Sequence, residues 1–175
     1  MFFFALSNKM GNLKILVLGR YGHPADIGGV ANATRNIVQR AAEEGLEFRV
    51  FSVRNPLLIS PELLTTAIYP SERITLKILP TTEGFGTQNS EKFEEGTTTL
   101  AERITEFSAS DDIGLVHVIT AYPNYVRVGE KISANLKVPY IVSARGSDVY
   151  GHNPEVKYYP DKEWFLSPLR NASLI

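Results

Sequence analysis

The sequence predicts an α/β fold, a Rossmann-like, doubly wound and mainly parallel sheet with helices on both faces. Three observations carry that expectation. Near-continuous apolar runs such as "LKILVLG" (13–19) and "IGLVHVIT" (113–120) suit strands buried on both faces. Other stretches repeat their apolar residues at three- and four-residue steps, the period of a helix with one buried face. The two kinds alternate along the chain, and alternation of this sort implies parallel strands joined by right-handed crossovers.

Each element follows in order. After the first strand, Val30, Ala33, Ile37, Val38, Ala41 and Ala42 line the inner face of a helix that stops at Gly45, a suitable left-handed terminus. "LEFRVFSV" (46–53) alternates as the second strand and "RITLKIL" (73–79) as the third, with Pro56 to Pro70 read as a connection containing a short helix. "TTEGFGTQNS" (81–90) is a loop by its Gly, Thr and Asn content. A helix follows through "EKFEEGTTTLAERITEF", its first half weakened by Gly96 and three threonines. Strand 113–120, helix "YVRVGEKISANL" (125–136), strand "PYIVSAR" (139–145) and a last helix near 161–171 complete the series.

A length of 175 residues suits one domain. The formal net charge is −1, without a basic stripe, which argues against a nucleic-acid partner. The chain has no cysteine, so disulfides, thiol nucleophiles and cysteine metal sites are excluded; a reducing cytoplasmic location is compatible with this. No His, Asp or Glu spacing resembles a metal site, and no nucleophile–base pair stands out. The opening "MFFFALSNKMG" fits neither a secretory signal nor a membrane span. Residues 1–10 read as an N-terminal extension, with Met10 the expected natural start, and 11–175 as the domain. At the other end, "RNASLI" reads as the beginning of a further buried strand, as in the first domain of a longer polypeptide.

In doubly wound sheets, ligands bind at the carboxyl ends of the strands, where neighbouring connections leave in opposite directions. The first and fourth strands flank that point in the usual order. Loops 19–29, 120–124 and 145–154 would then converge, bringing together Gly22, His23, Gly28, Gly29, Tyr122, Asn124, Arg145, Ser147, Asp148 and His152. The stretch "GRYGHPADIGGVANATRN" (19–36) has the wrong glycine spacing for a dinucleotide fingerprint and lacks the Lys-Ser/Thr of a P-loop. What remains is a long loop with Gly28-Gly29 at a helix start. Its free N–H groups and positive helix end favour an anion; equally, the pair makes a turn and replaces a polar N-cap. In "SARGSDVYGH" (143–152), Arg145 suits a phosphate or carboxylate and Asp148 suits sugar hydroxyls, or the two brace the loop as an ion pair. His117, inside an apolar strand, reads as a hydrogen-bonded core residue, whereas His23 and His152 are loop residues equally suited to solvent. Tyr150, Tyr158 and Tyr159 are open between sugar stacking and packing; Trp164 and Phe165 read as packing.

Two segments resemble a known family. "KILVLGRYGHPADIGGVANATRNIVQRAAEEGLEFRVFSV" is similar to the opening of retaining glycosyltransferases of the GT-B fold, family 4: a strand, a loop ending in Gly-Gly, a helix, a Gly and a second strand. "DDIGLVHVITAYPNYVRVGEKISANLKVPYIVSARGSDVYG" is similar to their later Asp-x-x-x-His strand, Pro-containing loop, helix, strand and H/R-G-S-D turn. Together they cover most of 13–151, while about 54–110 resembles nothing in particular.

The resemblance implies the N-terminal, acceptor-side half of a GT-B enzyme, with a nucleotide-sugar-binding C-terminal domain outside this chain. It implies that Gly28 and Gly29 face the donor diphosphate. Arg145 and Asp148 would be the catalytic pair, with His23, Tyr122, Gly146, Ser147 and Tyr150 beside the sugar or acceptor. Many relatives have His in place of Arg145; an arginine is no base near neutral pH, but it can stabilise charge on a departing phosphate. The implied partners are a nucleotide-sugar donor and a sugar, lipid-linked or small-molecule acceptor, with no cofactor and no bound metal. The expected location is cytoplasmic, including the inner face of the membrane; peripheral membrane contact has no basic amphipathic helix to argue it. Transfer with retention of configuration is the expected reaction, and the domain alone is expected to be inactive. The alternatives are another GT-B enzyme such as a sugar epimerase, or a standalone flavodoxin-like binding or regulatory module.

Overall fold

The computed structural model describes residues 13–21, 29–55, 57, 67–87, 89–144 and 162–173. Strands β1 (Lys14–Leu18), β2 (Glu47–Arg54), β3 (Ala67–Ser71), β4 (Ile74–Pro80), β5 (Ile113–Val118) and β6 (Tyr140–Val142) form one sheet. Five are parallel, and β3 pairs antiparallel with β4 at one edge. The spatial order is β3-β4-β2-β1-β5-β6. In chain order the parallel strands therefore stand 3-2-1-4-5, the doubly wound arrangement the sequence predicts. The helices among the described residues are α1 (Gly29–Glu43), α2 (Ser90–Phe107), α3 (Pro123–Leu136) and α4 (Lys162–Asn171).

Strand periodicity divides the core into two layers. Leu16, Leu18, Phe51, Val53 and Leu79 face Leu100, Ile104, Val126 and Ile132 of α2 and α3. Val17, Phe48, Val50, Ile74 and Leu76 lie on the other side with Val38 and Ala42 of α1. Leu16, Val17 and Leu18 have no exposed surface, as a central parallel strand covered on both faces requires. Burying each such side chain contributes about 2 kcal/mol, so these two layers are the main stabilising term.

Helix α1 ends as Gly45 predicts. Gly45 has φ +98°, its N–H donates to the Ala42 carbonyl (3.0 Å), and the Leu46 N–H donates to Ala41 (3.1 Å), a Schellman terminus. Its buried face differs from the expected one: Ala31, Thr34, Val38 and Ala42 point inward, while Ile37 is 40% exposed. Small residues on that face let α1 lie close to β2 and β4, and proximity rather than the longest apolar stripe sets the rotation.

Helix α2 is firmer than its composition suggests. Asn89 caps it, accepting from the Lys92 N–H (2.9 Å). The hydroxyls of Thr97 and Thr98 donate back to the carbonyls of Phe93 (2.8 Å) and Glu94 (2.7 Å), so these polar side chains are satisfied within the helix. In α3, Pro123 occupies the first turn and Lys137, at φ 57°, closes the helix in the left-handed region. A Cβ at Gly129 would collide with the Val118 side chain, so this glycine sets how closely α3 packs on β5.

One expectation is corrected. The connection read through Pro70 ends in β3, which forms a hairpin with β4 across the Glu72–Arg73 turn. The ladder is irregular between Ile68 and Ser71, the interval that contains Pro70, which has no N–H to contribute. That proline and the brevity of the strand masked its period.

The amino edge is held by charge. Asp111, just before β5, has a side chain only 2% exposed. It accepts from Lys14 Nζ (2.7 Å) at the start of β1 and from Arg49 Nη2 (2.8 Å) and Nε on β2. Burial works to raise the Asp111 pKa, but the hydrogen bonds and positive charges of Arg49 and Lys14 outweigh it, and the net shift is downward. Asp111→Ala is expected to lower stability by about 2–3 kcal/mol at neutral pH, since two quarter-exposed cations lose their carboxylate. A folded-state pKa below the unfolded one means that this contribution is complete above about pH 4 and fades as pH falls through the lowered value. Urea denaturation of both proteins at pH 7 and pH 3 checks it: the difference should shrink at the lower pH.

Candidate functional site at the carboxyl edge

The site follows from how β1 and β5 part. They pair in register up to Leu18↔Val118. The Ile119 N–H then donates to the Leu18 carbonyl (2.9 Å), while the Gly19 N–H turns to Phe51 of β2 (3.1 Å). From β1 the chain goes to α1 on one face; from β5 it goes to α3 on the other. A crevice between diverging connections is the result. Gly19 is not there for lack of room, because a Cβ would meet Ile119 at an ordinary 3.5 Å.

Gly29 begins α1, is exposed, and has nothing within 4 Å of where a Cβ would stand. Among the described residues, the space beside the Gly29 Cα is therefore open. Tyr122 precedes Pro123 as the N-cap of α3, with no side-chain cap bond, and its half-buried side chain packs against the core layer under α2 and α3. Ser143, after β6, is tied twice: its N–H donates to Val118 (2.8 Å), and its hydroxyl hydrogen-bonds His117 Nε2 (2.8 Å). His117 is thus hydrogen-bonded as expected, but it is only partly buried rather than a core residue. His23, Gly28, Arg145, Gly146, Ser147, Asp148 and Tyr150 lie outside the described residues, as do Gly22, His152, Tyr158, Tyr159 and the side chains of Trp164 and Phe165.

Sequence reasoning missed a fourth contributor, the loop after β4. Asn124 Nδ2 donates to the Phe85 carbonyl (3.1 Å), and the Phe85 ring meets Tyr125 edge-on at 5.4 Å between centroids. The Tyr125 hydroxyl donates to the Val53 carbonyl (3.3 Å) at the end of β2. Two glycines make this possible. Gly84 takes φ +88° against the backbone of Lys92, and a Cβ at Gly96 would strike the Glu83 carbonyl and Phe85 N. Thr82 Oγ1 completes the seam by donating to the Gly96 carbonyl (2.7 Å). Gly96, which weakens a helix in isolation, was the available signal.

Two cations at the ends of the central strands were also missed. Arg20 follows β1 and is exposed; Arg54 ends β2 and is half-buried. Burial, and then the charge of Arg20, lower the Arg54 pKa, with Tyr125 acting in the other direction. On the α1 side, the buried Tyr21 hydroxyl has no hydrogen-bond partner among the described residues; burial raises its pKa and the Arg35 cation partly offsets this.

No family model matches the chain, and no curated protein sequence matches it. Solved structures do. Sucrose-phosphate synthase (tll1590) from Thermosynechococcus elongatus superposes on 92% of this chain with a TM-score of 0.59 at 16% identity. The UDP-GlcNAc 2-epimerase from Methanocaldococcus jannaschii superposes on 92% with a TM-score of 0.51 at 13% identity. Both are GT-B enzymes, and this chain has the Rossmann-like α/β fold of one of their domains. It spans 41% of the first and 38% of the second. No helix among the described residues is long and apolar enough to cross a membrane.

The seam between loop and helix makes a specific prediction. Gly96→Ala should gain up to about 1 kcal/mol of helix propensity, yet lower net stability by about 1–3 kcal/mol through overpacking against residues 83–85. Urea unfolding measures the loss, and NMR contacts between Phe85 and Tyr125 should weaken with it.

Proposed function

We propose that this chain is the acceptor-side domain of a GT-B glycosyltransferase, which moves a sugar from a nucleotide-sugar donor to an acceptor with retention of configuration. The observation that carries the reading is the strand order. In sheets of this order ligands bind where neighbouring connections diverge, which supports a shared site for the start of α1 at Gly29, the N-terminus of α3 at Tyr122 and the segment that follows Ser143. The superposition on two sugar enzymes supports the same fold, and the motifs in 13–53 and 111–151 supply the retaining assignment.

On this reading, the Gly28 and Gly29 N–H groups form one wall for the donor diphosphate, the missing side chains admitting close approach. The second wall belongs to a C-terminal domain, which is why the present chain alone should not turn over. During transfer the bond between the sugar and the diphosphate breaks while the acceptor oxygen bonds the same carbon, and negative charge collects on the departing phosphate. The motif match gives Arg145 the role of stabilising that charge. Asp148 accepts from sugar hydroxyls, and His23, Tyr122, Gly146, Ser147 and Tyr150 line the sugar or acceptor side. An epimerase of the same half-fold is the second reading, favoured by the epimerase superposition; it would consume the nucleotide-sugar without an acceptor.

Gly29→Ala tests the central element, because the added methyl meets nothing among the described residues. In the full-length enzyme it should leave the thermal midpoint within about 2 °C, a surface change being worth at most about 0.5 kcal/mol. Turnover should fall by about tenfold to a hundredfold as donated hydrogen bonds to the diphosphate lengthen. Unchanged turnover would remove the glycine wall from the mechanism, and acceptor-independent consumption of the nucleotide-sugar would favour the epimerase.

A further inference from the structure

The described glycines divide by what the fold asks of them. Gly45 and Gly84 take positive φ, at 98° and 88°. A Cβ at Gly96, Gly114 or Gly129 would come to 2.9 Å or closer to a neighbour, and one at Gly19 would make ordinary contact with Ile119. Gly29 and Gly86 answer to neither demand: their φ is not positive, and nothing among the described residues lies within 4 Å of where a Cβ would stand. Gly29 belongs to the donor wall of the reading above. Gly86 lies in loop 81–87, which follows β4 and so stands at the same carboxyl edge. That loop is fixed at several points. The Thr81 N–H donates to the Arg54 carbonyl (2.8 Å) and Thr82 Oγ1 to the Gly96 carbonyl (2.7 Å). A turn then closes through Phe85 N–H to Thr82 (3.2 Å) and Thr87 N–H to Gly84 (3.1 Å). The Phe85 side chain is buried, and its carbonyl accepts from Asn124 Nδ2 (3.1 Å) in the first turn of α3. The Gly86 N–H shares that planar peptide, so the same bond fixes which way it points. Gly86 itself is exposed, and its N–H and carbonyl have no partner among the described residues. A fixed loop with a bare, unstrained glycine presents open backbone with one donor and one acceptor, which suits hydroxyls that both donate and accept. The loop holds one carboxylate, Glu83, and no cation, so it offers no charged partner to a phosphate.

We propose that the Gly86 surface of the loop after β4 is a sugar-binding wall on the α3 side of the carboxyl edge, the absent side chain admitting a neutral sugar ring. Resting on the sugar-transfer reading, this sugar is the acceptor. The donor diphosphate is assigned to the start of α1, a helix packed on one core layer, whereas Phe85 belongs to the layer on the other face of the sheet. The acceptor class is then a neutral sugar rather than a phosphorylated or carboxylated one.

Titration of the 175-residue chain with methyl α-glucoside, methyl α-mannoside and glucose 6-phosphate, followed by residue-resolved NMR, tests this. At least one methyl glycoside should perturb the Gly86, Thr87 and Asn124 signals, and more strongly than glucose 6-phosphate does. Gly86→Leu builds on a Cβ position that is open among the described residues, so the thermal midpoint should stay within about 2 °C. Glycoside binding to that variant should weaken about tenfold or more, the scale of crowding a filled contact. Gly29→Ala, which alters the donor wall, should leave the glycoside titration unchanged. Undiminished binding to Gly86→Leu, or signals that move only beside Gly29, would overturn the proposal and leave the transferase reading standing. Absence of binding by both glycosides overturns it too, and tighter binding of glucose 6-phosphate at the same residues overturns the neutral class. Glycoside binding that is lost in Gly86→Leu, together with a full-length enzyme that consumes the nucleotide-sugar without an acceptor, would uphold the sugar wall and refute the transferase reading.

Discussion

β1 lies between β2 and β5 with both faces covered, and the rest of the carboxyl edge depends on that position. A strand so enclosed satisfies its backbone on two sides and buries side chains in two separate layers. The chain leaving it can go to only one face, and the chain leaving β5 takes the other. The crevice is therefore a topological necessity of the strand order rather than the work of any loop. Local chemistry varies along that edge: the Cβ position of Gly29 is open among the described residues, Tyr122 is the N-cap of α3, and Ser143 is bonded to His117 and Val118.

The architecture was legible because its determinants are local and periodic. Continuous apolar runs identify β1 and β5, alternation identifies β2 and β4, and Gly45 marks the end of α1 at its left-handed turn. What escaped was tertiary. β3 is short and interrupted by Pro70, so its period cannot be read. The rotation of α1 depends on how near its small residues can approach β2 and β4. The Phe85 loop joins the site through Gly84 and Gly96, whose reason for being glycine exists only once loop and helix touch. Arg20 and Arg54 are thirty-four positions apart and become neighbours only when β1 pairs with β2.

The two edges of the sheet differ electrostatically. At the amino edge, Asp111 is matched to Lys14 and Arg49, an arrangement whose charges answer one another within the protein. At the carboxyl edge, Arg20 and Arg54 set like charges side by side. A protein gains nothing in stability from the second arrangement.

The interruption at Pro70 matters beyond the local ladder. A sheet with free edges is a template on which another chain can add a strand. On the β3 side, the strand is short and its register shifts between Ile68 and Ser71, around Pro70. On the other side, β6 is only three residues long, and its Tyr140 carbonyl is already taken by the Ser173 N–H (2.8 Å). Neither margin presents a continuous rail to a newcomer, so the same residues that obscure a strand in the sequence guard the sheet against open-ended stacking into fibres.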